Sequence, residues 1–316
     1  MRCRRCGDKA EIYLKRHNAA FCSDCFQVYY SEQVRRNIRR EKMFGPKDRV
    51  LVVVSGGKDS MALWHILLKE GYDVTAMYIN LGIGDYSERS QEVVERFSEE
   101  HEAPLIVKNI EKEYGLNIPW LAREIRRSTC SLCGTIKRYL FNKVALDEGF
   151  DVVATGHNLD DEAATLLGNV LSWQEGYLAR QSPVLPSTHP KLVKKVKPLF
   201  TLTERENLAY VLFNGISFIH EECPHALGAS SILYKEVLNK LEEASPGTKQ
   251  RFLTNFLKKG RKNFEACSET PDLRECSICG QVTTAEVCSF CRLRQMAEKK
   301  KMKADSQPQK DENLEQ

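Results

Sequence analysis

The sequence predicts an α/β fold, in which a parallel sheet carries helices on both faces and a small cysteine-rich module flanks it at each end. Strand-like β-branched runs alternate with segments of helical spacing through the middle of the chain. Paired Cys-x-x-Cys motifs lie near both termini. The first pattern is typical of repeated βα units, and the second is typical of small metal-stapled modules.

The middle of the chain supplies the sheet and its helices. We predict strands at 49–54, 73–79, 104–108 and 151–155. We predict helices at 61–69, 87–100, 135–148 and 160–172, then a Pro-rich loop at 182–190 and a mainly helical segment from Thr203 onward.

The cysteines and the strand pattern suggest five segments. They are an N-terminal zinc module (1–30), a basic linker helix (31–48), a catalytic domain (49–265), a C-terminal zinc module (270–295) and a disordered tail (296–316). We expect the tail to be disordered because it contains almost no apolar residues.

Composition excludes a membrane protein. The 316 residues are 42% apolar and 28% charged, with a mean hydropathy of -0.43. Apolar runs such as 51–54 are far shorter than the ~20 residues of a spanning helix. No signal peptide precedes the first cysteines, so we expect a cytoplasmic location, where 12 cysteines favour metal binding over disulfides.

Basic residues cluster although the net charge is only +4. One cluster alone is typically a solvated surface, but three together favour contact with a nucleic-acid backbone. The three blocks are Arg35, Arg36, Arg39, Arg40 and Lys42; Lys191, Lys194, Lys195 and Lys197; and Lys258, Lys259, Arg261 and Lys262.

A glycine-rich turn follows the first strand. Val54 leads into Ser55-Gly-Gly-Lys-Asp-Ser60 and then into a helix. Backbone N–H groups and the helix dipole bind phosphate in such a turn. The Walker pattern requires four residues between its first glycine and the Gly-Lys pair, and a serine or threonine where Asp59 stands, so this is not a Walker loop. A turn without a ligand is the alternative.

The end of the fourth strand is the second polar segment. It reads Thr155-Gly-His-Asn-Leu-Asp-Asp-Glu162, where Gly156 permits close approach of a ligand. Asp160 or Asp161 is expected either to hold magnesium or orient the base, or to cap the following helix.

Eight cysteines have zinc-ligand spacing. The N-terminal set is Cys3, Cys6, Cys22 and Cys25, and the C-terminal set is Cys276, Cys279, Cys288 and Cys291. Four thiolates complete a tetrahedron and leave no open position, so two structural Zn²⁺ ions are expected.

Three further cysteines lie in the catalytic domain. Cys130 and Cys133 are expected just before a helix, and Cys223 follows 90 residues later. Three thiolates suit a [4Fe–4S] cluster with one open iron, or persulfide carriers. A third zinc site with His225 is the alternative. Lys137 shares a helix face with Cys133, so it is expected either to reach ATP or a developing oxyanion or to be solvated surface.

These motifs resemble the TtuA family of tRNA 2-thiolation enzymes, which are PP-loop enzymes of the N-type ATP pyrophosphatase class related to wobble-uridine thiolases and TtcA. The match runs from Met1 to about Arg294. The resemblance implies a PP-loop that grips ATP, with Mg²⁺, so that pyrophosphate leaves. The implied nucleotide contacts are Val54, Ser55, Gly56, Gly57, Lys58, Asp59, Ser60, Ile79, Lys137 and Gly156.

The resemblance also implies the chemistry. A [4Fe–4S] cluster on Cys130, Cys133 and Cys223 would hold the incoming sulfur, and Lys137 and Asp161 would be catalytic. ATP would adenylate the C2 oxygen of a uridine, and sulfur would then expel AMP. The donor would be a ubiquitin-like sulfur-carrier protein with a C-terminal thiocarboxylate, and the enzyme a homodimer. The substrate would be the T-loop ribothymidine, because the segment around Cys223 and 226–231 resembles TtuA more closely than the wobble-uridine thiolases.

Three other functions are kept as alternatives. The first is the same chemistry on the wobble uridine. The second is a PP-loop amidotransferase or lysidine-type tRNA ligase, which needs no central cysteines. The third is a zinc-dependent RNA-binding adaptor without catalysis, which needs no intact nucleotide loop.

Overall fold

The N-terminal segment of the computed structural model is a hairpin followed by a long helix. The structure describes residues 1–225, 230–267 and 272–305. Strands β1 (Ile12–Leu14) and β2 (Ala19–Phe21) pair antiparallel around the 3-10 turn Lys15–His17, and α1 spans Ser23–Arg40. The predicted basic helix is therefore present, but it begins inside the predicted zinc module and ends at Arg40.

The central domain alternates strands and helices as predicted. Its first part contains β3 (Val50–Val54), α2 (Lys58–Lys69), β4 (Val74–Asn80), α3 (Gly84–Glu100), β5 (Leu105–Asn109), α4 (Ile110–Tyr114), α5 (Ile118–Ile125) and α6 (Thr129–Asp147). Its second part contains β6 (Val152–Thr155), α7 (Leu159–Leu171), α8 (Glu175–Arg180), β7 (Val184–Leu185), β8 (Lys194–Val196), α9 (Glu204–Phe213), α10 (Ser230–Ala244) and α11 (Thr248–Asn255).

The rest of the described chain carries the C-terminal module. A π-helical turn (Phe256–Gly260) and a 3-10 segment (Arg261–Cys267) follow α11. Short strands β9 (Arg274–Glu275) and β10 (Val282–Thr283) form an antiparallel pair, and α12 spans Ser289–Asp305.

Six strands form the central sheet in the order β5-β4-β3-β6-β8-β7. Every neighbouring pair is parallel except β7 with β8, which places one antiparallel strand at an edge. The carboxyl ends of β3, β4 and β6 therefore meet at one edge of the sheet, where α/β proteins bind ligands.

The two cysteine modules pack on opposite faces of this sheet. Val50 and Val52 of β3 point into the core that contains Phe26 of α1, whereas Leu51 points into the core that contains Phe290 of α12. Side chains alternate along a strand, so each face of β3 contributes to a different core. The prediction of helices on both faces is confirmed.

A buried ion pair joins the N-terminal module to the central domain. Arg16 lies in the turn between β1 and β2, and its guanidinium bonds both carboxylate oxygens of Glu206 on α9 at 2.7 and 2.8 Å. Their side chains are only 6% and 1% exposed. Tyr29 also donates to Glu206 at 2.8 Å, so the module is held by a charged network inside the protein.

Three predicted boundaries were wrong. Helix α6 begins at Thr129 rather than 135, so Cys130 and Cys133 lie within it and not before it. The predicted Pro-rich loop contains β7. Residues 296–305 of the predicted tail continue α12, in which Ala297 is buried, while residues 306–316 lie outside the described part.

Among the described helices, none combines the length and the apolar character needed to cross a bilayer.

Candidate active site

The phosphate loop lies at the carboxyl end of β3. Gly56 has a φ of +76°, a left-handed conformation, and a Cβ there would lie 3.0 Å from the carbonyl oxygen of Ser90. A Cβ on Gly156 would lie 2.9 Å from the backbone nitrogen of Ser60. Both glycines are therefore required by close backbone packing, and Gly156 brings the end of β6 against the first turn of α2.

Lys58 and Asp59 form an ion pair at the start of α2, with 2.9 Å between Nζ and Oδ2. Burial tends to lower the pKa of Lys58, but the Asp59 carboxylate raises it above its usual value. The Lys58 side chain is 27% exposed, so a protonated ammonium group is available at the loop. The amide of Asn207 donates to the other Asp59 oxygen at 2.7 Å.

A cavity of about 110 Å³ opens beside this loop. It brings together six of the predicted site residues, from segments that lie far apart in the sequence. Those lining residues are Val54, Ser55, Ile79, Cys133, Lys137 and Cys223. Tyr86 and Phe141 complete part of the wall and were not predicted.

The segment that carries Cys223 is tied to the phosphate loop. Its Ile219 N–H donates to the carbonyl oxygen of Gly56 at 2.8 Å. A thiol 90 residues from Cys133 in the sequence thus reaches the same cavity. We call this space the cysteine cavity.

Cys130 completes the central set on the same helix as Cys133. Its Sγ lies 3.8 Å from the carbonyl oxygen of His225, two residues beyond Cys223. None of the three thiols is in a disulfide. Burial raises the pKa of the Cys133 thiol above its usual value, while the nearby Lys137 opposes that effect.

Asp161 does not line the cysteine cavity. It closes a capping box with Asn158 at the start of α7, which is the expected capping role. Its carboxylate also lies 2.6 Å from Nζ of Lys235 on α10. Burial tends to raise the pKa of Asp161, but Lys235 and His157 hold it below its usual value.

Asp160 is engaged elsewhere. Its side chain is 7% exposed, pairs with Lys249 and accepts from the backbone N–H of Glu204 at 2.9 Å. The expectation that Asp160 holds magnesium or orients the base is therefore not supported. Lys235, which bridges Asp161 and Glu204, was missed because it belongs to no motif and follows Asp161 by 74 residues.

Each terminal cysteine set forms a compact group whose four sulfur atoms lie within 4.8 Å of one another. Sγ of Cys6 is 3.6 Å from Cys22, and Sγ of Cys279 is 3.8 Å from Cys288. A tetrahedral Zn²⁺ with 2.3 Å bonds would place its sulfur ligands about 3.8 Å apart. Each of the two groups therefore has the spacing needed to hold one zinc ion.

Thiolates are favoured at the first cysteine of each group. Burial tends to raise the pKa of Cys3, but hydrogen bonds from backbone N–H groups, beginning with that of Cys22, lower it to about 6. The same balance lowers the pKa of Cys276 to about 6, with Cys288 as the first donor.

The central cysteines differ from the terminal groups. Within the described residues, Cys130, Cys133, Cys223 and His225 supply no three ligand atoms inside 4.8 Å of one another. The wider spacing does not suit a third zinc ion, which needs contacts of about 3.8 Å between sulfurs.

Comparison with known proteins identifies the relatives of this chain. A model of the PP-loop domain matches residues 28–226, and a model described as the 2-thiouridine synthetase TtuA N-terminal LIM domain matches residues 2–27. The tRNA-5-methyluridine(54) 2-sulfurtransferase of Thermus thermophilus is 50% identical over 93% of this chain and 91% of its own length. The chain belongs to this family.

Two more of its relatives are informative. The tRNA-5-methyluridine(54) 2-sulfurtransferase of Thermotoga maritima is 46% identical over 96% of this chain and 99% of its own length. The U34-tRNA thiolase NcsA of Methanococcus maripaludis, solved with its [4Fe–4S] cluster, has a TM-score of 0.79 at 26% identity, and the match covers 93% and 96% of the two chains.

Membership of the 2-sulfurtransferase family confirms the predicted resemblance and the fold class. The PP-loop match spans the phosphate loop, Cys130, Cys133 and Cys223, so the cysteine cavity lies inside the matched PP-loop domain. The roles of the individual residues stay predictions. The Ala226–Ser231 segment, which contributed to the predicted T-loop substrate, has no described side chains.

Proposed function

We propose that this chain is an ATP-dependent tRNA 2-sulfurtransferase that converts the T-loop 5-methyluridine at position 54 to its 2-thio form. One observation carries the proposal: a chain 50% identical to such an enzyme over 93% of its length places two cysteines and a lysine beside an intact phosphate loop. The wobble uridine is less favoured, because the U34-tRNA thiolase is only 26% identical. The amidotransferase-type and adaptor functions lose support from the same family membership.

ATP supplies the leaving group that the reaction needs. A uracil C2 carbonyl has no good leaving group, so its oxygen first attacks the α-phosphorus of ATP and pyrophosphate departs. Lys58 and the backbone of 55–57 would hold the departing phosphates, since they combine a positive charge with N–H groups at a helix N-terminus. Ile79 and Gly156 would lie against the nucleotide.

Sulfur then replaces the activated oxygen. The new C2–S bond forms as the C2–O bond breaks, and AMP carries away the original oxygen. Lys137 lies in the cysteine cavity and would stabilise negative charge on the oxygen during this exchange. Asp161 would be the second catalytic residue, as the family resemblance implies. Burial tends to raise its pKa, but Lys235 lowers that pKa and so favours the ionised form.

Cys130, Cys133 and Cys223 would hold the [4Fe–4S] cluster. Their thiols are free and are spaced too widely for zinc. Cys133 and Cys223 line the cavity, and Cys130 lies three residues before Cys133 on α6, with its Sγ 3.8 Å from the carbonyl oxygen of His225. A cluster with three protein thiolates supplies an open iron position at which a sulfur atom can bind.

The remaining ligands are part of the same proposal. Mg²⁺ would accompany the ATP phosphates, because Asp59 and Asp161 are already paired with lysines. One Zn²⁺ would occupy each terminal four-cysteine group. The tRNA must open its T-loop so that the base reaches the cavity. A cytoplasmic location follows from this substrate.

The sulfur donor and the assembly are proposed from chemistry and surface. A carrier protein with a C-terminal thiocarboxylate delivers sulfur already at the sulfide oxidation level, so no external reductant is needed. A homodimer would cover the exposed apolar row Leu233, Val237 and Leu241, which follows one face of α10.

Nucleoside analysis of tRNA tests the proposal. Deleting the gene should remove 2-thio-5-methyluridine from total tRNA, and mass spectrometry of digested tRNA should show the unthiolated nucleoside in its place. A strain that loses the wobble 2-thiouridine and keeps the T-loop modification would overturn the assignment of position 54.

A further inference from the structure

A second cavity lies on another side of α6. It measures about 260 Å³ and forms where α6, β8 and the C-terminal module meet. Arg138, Lys195, Thr283 and Ser289 contribute polar side chains to its lining. None of these residues lines the cysteine cavity. We call this space the Arg138 pocket.

Two cations face the Arg138 pocket without a counter-ion. In the described part of the chain, neither Arg138 nor Lys195 has a side-chain hydrogen bond or an ion pair. Lys191 and Lys197 of the same basic block are instead paired with Glu275 and Glu162 at 2.6 and 2.8 Å.

Holding these two positive charges together is unfavourable for the protein alone. Burial and the nearby Arg138 both lower the pKa of Lys195. A partly desolvated cation beside a like charge is stabilised when an anion joins the pair. Phosphate is the anion that an arginine and a lysine, with hydroxyl donors from Thr283 and Ser289, recognise best.

The walls of the pocket are fixed before any ligand arrives. The buried Asn142 donates to the carbonyl oxygen of Lys191 and to the Gln281 side chain, both at 2.8 Å. Tyr139 stacks on Phe290 with 3.9 Å between ring centroids. Helix α6, the segment before β8 and the C-terminal module are thereby locked together, so binding requires little ordering.

The register of α6 relates the pocket to the reaction site. Cys133, Lys137 and Phe141 line the cysteine cavity at a spacing of four residues, whereas Arg138 and Asn142 line the Arg138 pocket. The two spaces are therefore separated by about one helix diameter, roughly 10–12 Å. A polynucleotide whose base enters the cysteine cavity has backbone phosphates within that distance.

We propose that the Arg138 pocket binds a backbone phosphate of the tRNA close to the modified uridine. This inference rests on the proposed function, which supplies the tRNA. It assigns a binding role to a residue pair outside the phosphate loop and the central cysteines. It also gives the C-terminal module a task beyond stability, because that module forms one wall of the pocket.

The test is the salt dependence of tRNA binding by the variant Arg138→Gln/Lys195→Gln. Losing one charge-assisted phosphate contact should weaken binding about tenfold. It should also reduce the slope of log affinity against log salt by about one. ATP affinity should not change. Fluorescence anisotropy with labelled tRNA over a salt series measures both tRNA quantities.

Lys143→Gln is the matched control. Lys143 lies on the same helix, but it does not line the Arg138 pocket and is paired with Asp147 at 2.7 Å, so its removal should leave the tRNA slope unchanged. Arg138→Gln alone, at an exposed position, keeps the test valid if the double variant does not fold. Its slope should fall in the same direction.

The outcomes separate the possible anions. A double variant with unchanged tRNA affinity and slope overturns the proposal, even if it no longer binds inorganic phosphate, because the pocket then takes only a free anion. Loss of zinc with an unchanged tRNA slope also overturns it, since the cations would then balance the cysteine thiolates. Failure of wild-type protein to thiolate tRNA would instead defeat the proposed function and leave the binding result intact.

Discussion

Lys58 and Asp59 are neighbours in the phosphate loop, but their contacts differ. Among the described residues, the Lys58 ammonium group hydrogen-bonds only Asp59. Asp59 is also held by Asn207, which is fully buried and accepts a hydrogen bond from Tyr30 of α1 at 2.8 Å. Replacing Asp59 would leave a buried amide without its acceptor, at a cost of about 1–3 kcal/mol. Asp59 thus combines a site position with a structural contact, and Lys58 is the cleaner probe of phosphate binding.

We expect Lys58→Ala to lower the rate of ATP-dependent thiolation by roughly a hundredfold or more, because a positioned charge on the leaving phosphates is lost. The melting temperature should change little, since the ammonium group is partly exposed. Single-turnover assays and thermal melts measure the two effects. Lys69→Ala, a cation at the other end of the same helix, is the control. A variant that is inactive only because it unfolds contradicts the assignment.

At the scale of single residues, the sequence predicted those candidate site residues that belong to a recognisable motif. The loop 55–60 and the pair Cys130 and Cys133 were noticed because their spacing is local, and Cys223 was noticed as a third cysteine in the same predicted domain. Lys235 and Asn207 were not found, since each reaches the site only through a helix packed against it. The buried pair of Asp160 and Lys249 could not be predicted either, because two adjacent aspartates in a sequence do not indicate which side chain is buried.

Helix α6 shows why element boundaries were harder to predict. Gly134 lies inside the helix, and a glycine there disfavours helix by about 1 kcal/mol, so the pattern indicated a start after it. Packing of Leu132 and Ile136 into the core outweighs that cost. Helix α12 is similar: its polar end looks disordered, yet Lys301 donates to the Gly115 carbonyl at 2.6 Å and lies over the Trp120 ring.

A buried ion pair contributes to the docking of the N-terminal module. Glu206→Gln should destabilise the protein by about 3–5 kcal/mol, because it leaves the Arg16 guanidinium buried without its charge partner. Chemical denaturation at neutral pH measures this loss. Glu32→Gln, whose partner Arg5 is 47% exposed, should cost less than about 1 kcal/mol.

The same pair gives a pH dependence. Burial tends to raise the pKa of Glu206, but Arg16 lowers it below its usual value. A depressed pKa contributes stability above the unfolded value of about 4.3, and that stability is lost as pH falls through the folded value. The difference between wild type and Glu206→Gln should therefore shrink below about pH 4. A constant difference across this range contradicts the ion-pair account.

We predict that the zinc ion of the C-terminal module has a structural role and takes no part in the chemical step. Cys276→Ser should lower bound zinc and the melting temperature, because a four-thiolate site contributes folding energy. The chemical step should keep its rate at saturating tRNA, since no member of this group lines the cysteine cavity. Metal analysis and single-turnover kinetics test this. A folded, zinc-depleted variant with a much slower chemical step would overturn the structural role.

At the scale of the whole molecule, the cysteine modules and the phosphate loop contact different parts of the central sheet. The two modules pack on opposite faces, while the phosphate loop, Ile79 and Gly156 lie at the carboxyl edge. The alternation of strands and helices predicted this edge correctly. The modules' positions were not predictable, because cysteine spacing describes a local fold and carries no information on the surface to which it docks.

The central claim is that sulfur transfer needs both ATP and the three central cysteines. Its most direct test is mass spectrometry of tRNA nucleosides after incubation with iron-reconstituted, oxygen-free protein, ATP and sulfide. The wild type should form 2-thio-5-methyluridine and bind about four irons per chain. Cys223→Ser should bind ATP normally, lose the iron and form none, while Ser131→Ala on α6 should behave as wild type. Full thiolation by iron-free wild type, or by Cys223→Ser, would contradict the account.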